Sequence, residues 1–157
     1  MNRSLNAYEK KMNTVPAWVW FEGDTALTEG MGVCYNYDYG TATAVDARRY
    51  NRVEMPSNAN RIHFAGVAAR DYDATTGGQY IEINTPGSVC IILLAIGVSA
   101  VVGVTILECT YTAGTFKAAT NDGKGAAIAL QTITGGAAAL PCMAVLQEGL
   151  PSVGLAD

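Results

Sequence analysis

The sequence predicts a mainly β fold: a single compact β-barrel or β-sandwich, built from two similar β-units, with an extended N-terminal arm. Three observations predict it. Of 157 residues half are hydrophobic, only 15% are charged and 17 are glycine, a globular composition with many tight turns. Apolar residues recur at period two in short runs, as on a half-buried strand. The order of strand and turn signals in the first half also returns in the second. The length suits one domain with a sizeable core, so the expected division is an arm over 1–15 and a β-rich domain over 16–157.

Taken in order, residues 1–15 are polar, with scattered Leu5, Tyr8, Met12 and Val15. Leu5, Tyr8 and Met12 stand at helical spacing, but an extended arm accounts for the composition equally well. The run VPAWVWF, 15–21, reads as a strand with Trp18 and Trp20 on one face. The expectation is that this pair plugs the core or seals the domain base; the alternative is an exposed aromatic pair that binds a sugar or a partner. Over 22–45, Gly23-Asp24 and Glu29-Gly30 punctuate short runs of β-formers, and Val33, Tyr35, Tyr37 and Tyr39 form one face of a strand. Residues 46–61 are polar, hold Arg48, Arg49, Arg52 and Arg61, and read as the longest loop-like insert.

The stretch IHFAGVAARDYDATTGGQYIEINTPG, 62–87, gives a small-residue strand, a polar turn with Gly77-Gly78, a strictly alternating strand and a closing Pro86-Gly87. Next, 89–107 is almost continuously apolar. It is long enough for a membrane span, but its β-branched residues, its glycines and the lack of a positive flank favour two buried strands joined by a turn near Ile96 to Ala100. Residues 109–116 read as a strand end and hairpin turn, Asp122-Gly123 as a turn, and 126–149 as the closing strands. The segment from His63 to Ile83 matches that from Gly125 to Val145 in order, with its Gly-Gly turn set against Gly135-Gly136; 23–33 matches 102–114 more loosely. That echo implies one β-unit built twice.

The formal charge is -4, which offers no broad positive field for phosphates, so no nucleic-acid partner is expected. No membrane partner is expected either. Cys34, Cys90, Cys109 and Cys142 are far apart, contain no CxxC pair, and read as reduced and buried. No apolar run follows the charged N-terminus, so no signal peptide is expected. His63 is the only histidine and sits in an alternating run without a nucleophile motif near it. The sequence around Lys124 lacks the glycine and hydroxyl spacing of a phosphate loop. Asp71, Asp73, Thr75 and Glu82 stand at calcium-loop positions, but Thr76 replaces the required glycine and strands replace the flanking helices. No catalytic, cofactor or metal site is therefore assigned.

The run FAGVAARDYDATTGGQYIEINTPGSV, with its later counterpart AAIALQTITGGAAALPCMAVLQEG, resembles the pattern of tailed-bacteriophage head-decoration proteins, also called capsid cement or stabilisation proteins. The resemblance covers roughly residues 20–149; the arm and the 46–61 insert depart from it. It implies a non-enzymatic virion protein, assembled in the host cytoplasm, that adds to the capsid exterior, contacts the major capsid protein and itself, often as a trimer, and stabilises the lattice. Leu5, Tyr8 and Met12 are the expected arm contacts, since apolar side chains on a polar segment need burial somewhere. Arg48, Arg49 and Arg52 are the expected partners of acidic patches on the shell. The competing reading is a carbohydrate- or surface-binding β-module that uses exposed tryptophan and tyrosine.

Overall fold

The computed structural model describes residues 14–36, 52–58, 60, 63–110, 113–120 and 125–150. Among them there is no helix, and ten strands form two closed five-stranded barrels. The first barrel contains β1 (Pro16–Phe21), β2 (Gly32–Tyr35), β3 (Arg52–Glu54), β4 (Phe64–Ala68) and β5 (Gln79–Asn84). The second contains β6 (Val89–Leu94), β7 (Ile106–Cys109), β8 (Phe116–Ala118), β9 (Gly125–Ala129) and β10 (Leu140–Leu150). Around the first ring the order is β1-β3-β2-β4-β5, with β5 returning to β1; around the second it is β6-β8-β7-β9-β10, with β10 returning to β6. In each, the first and third strands run parallel and every other pair antiparallel. Closure removes the exposed sheet edges that an open five-stranded sheet would leave.

The mainly β fold built from two similar units is thus what the structure shows, with each unit closing its own barrel. The repetition extends to hydrogen-bond register. Pro16↔Asn84 and Phe21↔Gln79 in the first barrel become Val89↔Val145 and Leu94↔Leu140 in the second. Gly32↔Val67 and Val33↔Gly66 become Ile106↔Ile128 and Leu107↔Ala127. Outside the strands, the bridge Leu27↔Tyr72 becomes Ala100↔Ile133. This register corrects two details of the echo: residues 23–33 correspond to 96–107 and not to 102–114, and the glycine pairs are not equivalent. Gly77-Gly78 corresponds to Ala138-Ala139, and Gly135-Gly136 to Ala74-Thr75. Both glycine pairs serve the same connection at different points: a side chain on Gly78, which holds a positive φ, would strike the Phe21 carbonyl beside the Trp20 ring, and one on Gly135 would strike the Gly97 backbone.

Strand alternation makes the cores. Val19, Phe21, Leu27, Val33, Val53, Ala65, Ala68, Ile81 and Ile83 fill the first barrel. Their register counterparts Ile92, Leu94, Ala100, Leu107, Phe116, Ala126, Ala129, Cys142 and Ala144 are all buried in the second. Volume is redistributed between partners: the parallel pair Phe21↔Val53 becomes Leu94↔Phe116, so one ring is kept but changes strand. We expect Val53→Phe alone to lose about 1–3 kcal/mol through overpacking. Adding Phe21→Leu should recover at least half of that loss, because the pair then matches its counterpart. Urea midpoints of the two single variants and the double variant give the coupling; purely additive losses would refute the shared packing scheme.

Three expectations need correction. Residues 46–61 are not loop throughout, since Arg52–Glu54 forms β3; three residues with only Val53 inward carry too little pattern to stand out among charges. A turn lies at Ile96 as expected, but the run 89–107 is not two buried strands about it: β7 begins only at Ile106, and Val101, Val102 and Val104 before it are exposed. Trp18 and Trp20 do share a face, but it is the outer one: Val19 and Phe21 take the interior, and Trp18 is 56% exposed. The expected hairpin after Cys109 is present, with Leu107↔Ala118 and Cys109↔Phe116 in register. No helix among the described residues is long and apolar enough to cross a membrane.

The linker between barrels is Thr85–Ser88. It is bonded to both: the Thr85 amide donates to the Val15 carbonyl at 2.9 Å, and Gly87 and Leu146 exchange bonds with the turn through Gly87 N–H to Leu146 O and Leu146 N–H to Ser88 O. The barrels also share packing. Val67 points out of the first barrel and is buried with the second core, and the Phe64 ring meets Phe116 edge-on at 5.9 Å.

Candidate interaction surfaces

Among the described residues two surfaces carry most of the exposed large hydrophobic side chains. The first is the outer face of β1 and β5. Alternation puts Trp18 and Trp20 outward on β1, and Tyr80 and Glu82 opposite them on β5. The Trp20 and Tyr80 rings meet edge-to-face at 4.9 Å, a favoured aromatic geometry. The Tyr72 hydroxyl accepts the Glu82 amide at 2.7 Å, which holds its ring against the strand. Arg70 lies 5.2 Å from the Tyr72 ring and 5.9 Å from the Trp18 ring, within cation–π range. Tyr80 is 63% exposed, so this is an aromatic platform open to solvent.

The second is the end of the second barrel formed by 95–105 and 130–139. Neither segment contains a charged residue. Val101, Val102, Val104, Ile96 and Leu130 are exposed there, with Val104 at 74%. The scaffold is the same as at the corresponding end of the first barrel, but its charges are gone. There the Glu29 amide donates to Asp71 Oδ1 at 2.7 Å; here the Val102 amide donates to Thr132 Oγ1 at 3.3 Å. Gly30 N–H to Ala68 O, 2.9 Å, becomes Gly103 N–H to Ala129 O, 2.8 Å. One hydrogen-bond frame therefore carries Thr28-Glu29-Gly30-Met31 in one barrel and Val101-Val102-Gly103-Val104 in the other.

Between the barrels the first of these turns is docked. The Leu93 amide donates to the Gly30 carbonyl at 3.1 Å, and a Cβ on Gly30 would lie 3.0 Å from the Ile92 backbone. Gly30 also holds φ +87, so the position favours glycine twice over. Beside this contact is an open groove of about 660 Å³, lined by Met31, Leu93, Ile96, Val98, Thr115 and Lys117 among others. Lys117 pairs with the buried Glu108 at 3.0 Å, which places its charge in the wall.

The residues weighed for chemistry serve the scaffold. His63 precedes β4, where its amide donates to the Asn60 carbonyl and its carbonyl accepts the Tyr35 amide. In the loop with calcium-like spacing, Asp71 accepts the Glu29 amide, the Gln79 side chain donates to the Asp73 carbonyl, and the Gly77 amide donates to Asp24. Among the described residues no three His, Cys, Asp or Glu side chains converge to hold a metal. Of the expected partner contacts, Leu5, Tyr8, Met12, Arg48 and Arg49 lie outside the described residues, as do Tyr37 and Tyr39. Arg52 lies in β3, where its guanidinium pairs with Glu22. Sequence reasoning did not single out the valine turn, because an apolar run spanning strand and turn gives no sign of where burial stops. No family model and no curated protein matches the chain.

Proposed function

We propose that this protein is a non-enzymatic structural component of a phage virion. It binds the outside of the capsid, contacts the major capsid protein, and stabilises the lattice as a homo-oligomer, for which the resemblance suggests a trimer. The observation that carries an assembly role is the uncharged valine turn of the second barrel, which leaves large apolar side chains in water on an otherwise closed scaffold; such patches mark interaction sites. The resemblance of the Phe64–Val89 stretch to head-decoration proteins supports a capsid as the lattice. Stabilisation would follow from mass action, since a ligand that binds only the assembled lattice favours it by about 2.7 kcal/mol per site at a hundred times its Kd.

Calorimetry of capsids with and without saturating protein tests this. We expect a higher capsid melting temperature with the full chain, and a smaller rise after deletion of residues 1–13 or with Arg49→Glu. Unchanged melting with saturating protein would overturn the reading. A second reading, carbohydrate binding, is favoured by the exposure of Trp18 and Tyr80 on one platform.

A further inference from the structure

We propose that the outer face of β1 and β5 binds a neutral oligosaccharide, one sugar ring stacking on Trp18 while its hydroxyls bond to Arg70 and Glu82. Trp18 stands directly across from Glu82 in the strand pairing, and the Arg70 guanidinium lies 5.9 Å from the Trp18 ring. One exposed indole is therefore flanked by a carboxylate and a guanidinium. Among the described residues no ion pair joins these two. A pair of neighbouring hydroxyls suits both, since a hydroxyl donates to a carboxylate and accepts from a guanidinium. The C–H face of a pyranose then covers the apolar ring between them.

Charge and geometry select against other ligands. A cation would share the faces of Trp18 and Tyr72 with the guanidinium already beside both rings, and like charges repel there. An anion that reaches Arg70 brings its charge beside Glu82, the residue paired with Trp18. A proline-rich peptide docks in an open aromatic-lined groove, whereas Trp20 and Tyr80 close on each other edge-to-face at 4.9 Å. A neutral ligand rich in hydroxyls fits all of these constraints.

The polar groups are fixed in advance. The Tyr72 hydroxyl accepts from Arg70 Nε at 3.2 Å and from the Glu82 amide at 2.7 Å, so one side chain ties the guanidinium to the strand that carries the carboxylate. Little ordering is left to binding. Trp18 and Tyr80, 56% and 63% exposed, occupy diagonal positions on the strand pair. Such positions stand about 7–8 Å apart, farther than one pyranose ring spans, which gives two stacking stations for a chain of sugars. The assignment rests on the carbohydrate reading of this platform and names the ligand class and its contacts. The platform lies on the first barrel and the valine turn on the second, so glycan binding does not compete for the turn.

An array of neutral gluco-, manno- and galacto-oligosaccharides beside uronic-acid and sialylated glycans, followed by solution titration of those that bind, tests it. The wild type should prefer neutral chains, and should bind a tetrasaccharide about tenfold or more tighter than its monosaccharide as the second ring is engaged. Trp18→Ala should weaken binding about thirtyfold, as loss of a central aromatic anchor does, with an unchanged circular dichroism spectrum. Glu82→Gln removes the charge but keeps an acceptor, so it should retain neutral binding better than Trp18→Ala and narrow the preference over acidic chains. A wild-type preference for acidic glycans, or neutral binding that Trp18→Ala leaves unchanged, would overturn this assignment while the carbohydrate reading stands. Binding to no glycan would overturn both. No capsid is present, so neither failure touches the capsid reading.

Discussion

Phe116→Ala should destabilise the chain by about 3–5 kcal/mol, the range for truncating a buried aromatic residue. The ring is fully buried at the centre of the second core. Its strand, β8, has only three residues and touches β6 at the single pair Leu94↔Phe116. Closure of the second barrel therefore depends on one side chain to a degree that the longer strands do not share. For a chain of this size each kcal/mol corresponds to about 2–4 °C in Tm, so the melting temperature should fall by roughly 6–20 °C. The variant also reports on coupling between barrels. Both tryptophans of the chain, Trp18 and Trp20, lie on the first barrel, so tryptophan fluorescence follows that barrel while the substitution is in the other. Phe64 against Phe116 and the buried Val67 link the two, and the fluorescence and circular dichroism transitions should shift together. A fluorescence transition that stays in place would show the barrels to unfold independently.

How much of this was legible in the sequence depends on the range of the interaction that decides each feature. Period-two alternation is local, so the β class, the two-faced β1 strand and the hairpin after Cys109 could be read directly. The sense of the β1 face could not. Parity puts Trp18 and Trp20 together, but only the closure of β1 against both β3 and β5 sends Val19 and Phe21 inward. Strand β3 was hidden because three residues cannot display a period, and its parallel pairing with β1 is set by distant chain. The duplication was visible in the order of turns but misaligned at the glycines. Gly78 and Gly135 both meet a close backbone, Phe21 in one case and Gly97 in the other, but only Gly78 adds a positive φ and they sit at different points of the connection, so glycine pairs were a poor guide to equivalence. The valine turn was the hardest to see. Its apolar residues resemble a core strand, and only the exchange of Asp71 for Thr132 in an otherwise conserved hydrogen-bond frame shows that the second barrel's end has lost its charge.

Alkaline pH should unfold the chain earlier than its lysine and tyrosine content alone would cause. Burial, and after it the Glu54 carboxylate paired across from it, push the Cys34 thiol up to about 12. Burial raises Cys109 as well, with further contributions from Cys34 and Glu108, and burial raises Cys142. A raised thiol pKa means that the folded state holds the neutral form. Below the unfolded pKa, near 9, both states are protonated and the full stability is present. Above it the unfolded chain ionises while the folded chain does not, and stability is lost until the folded pKa is reached. For Cys34 the window runs from about 9 to about 12, at about 1.4 kcal/mol per pH unit, or on the order of 4 kcal/mol across it. Urea unfolding of wild type and Cys34→Ala in reducing buffer, at several pH values between 8 and 11, isolates this contribution together with the part of the Cys109 shift that Cys34 causes, the remaining titrations being common to both chains. The wild type should lose stability more steeply than the variant above pH 9, by nearly one proton's worth. Parallel profiles would mean that Cys34 ionises alike in both states, and that water reaches this buried thiol in the folded chain.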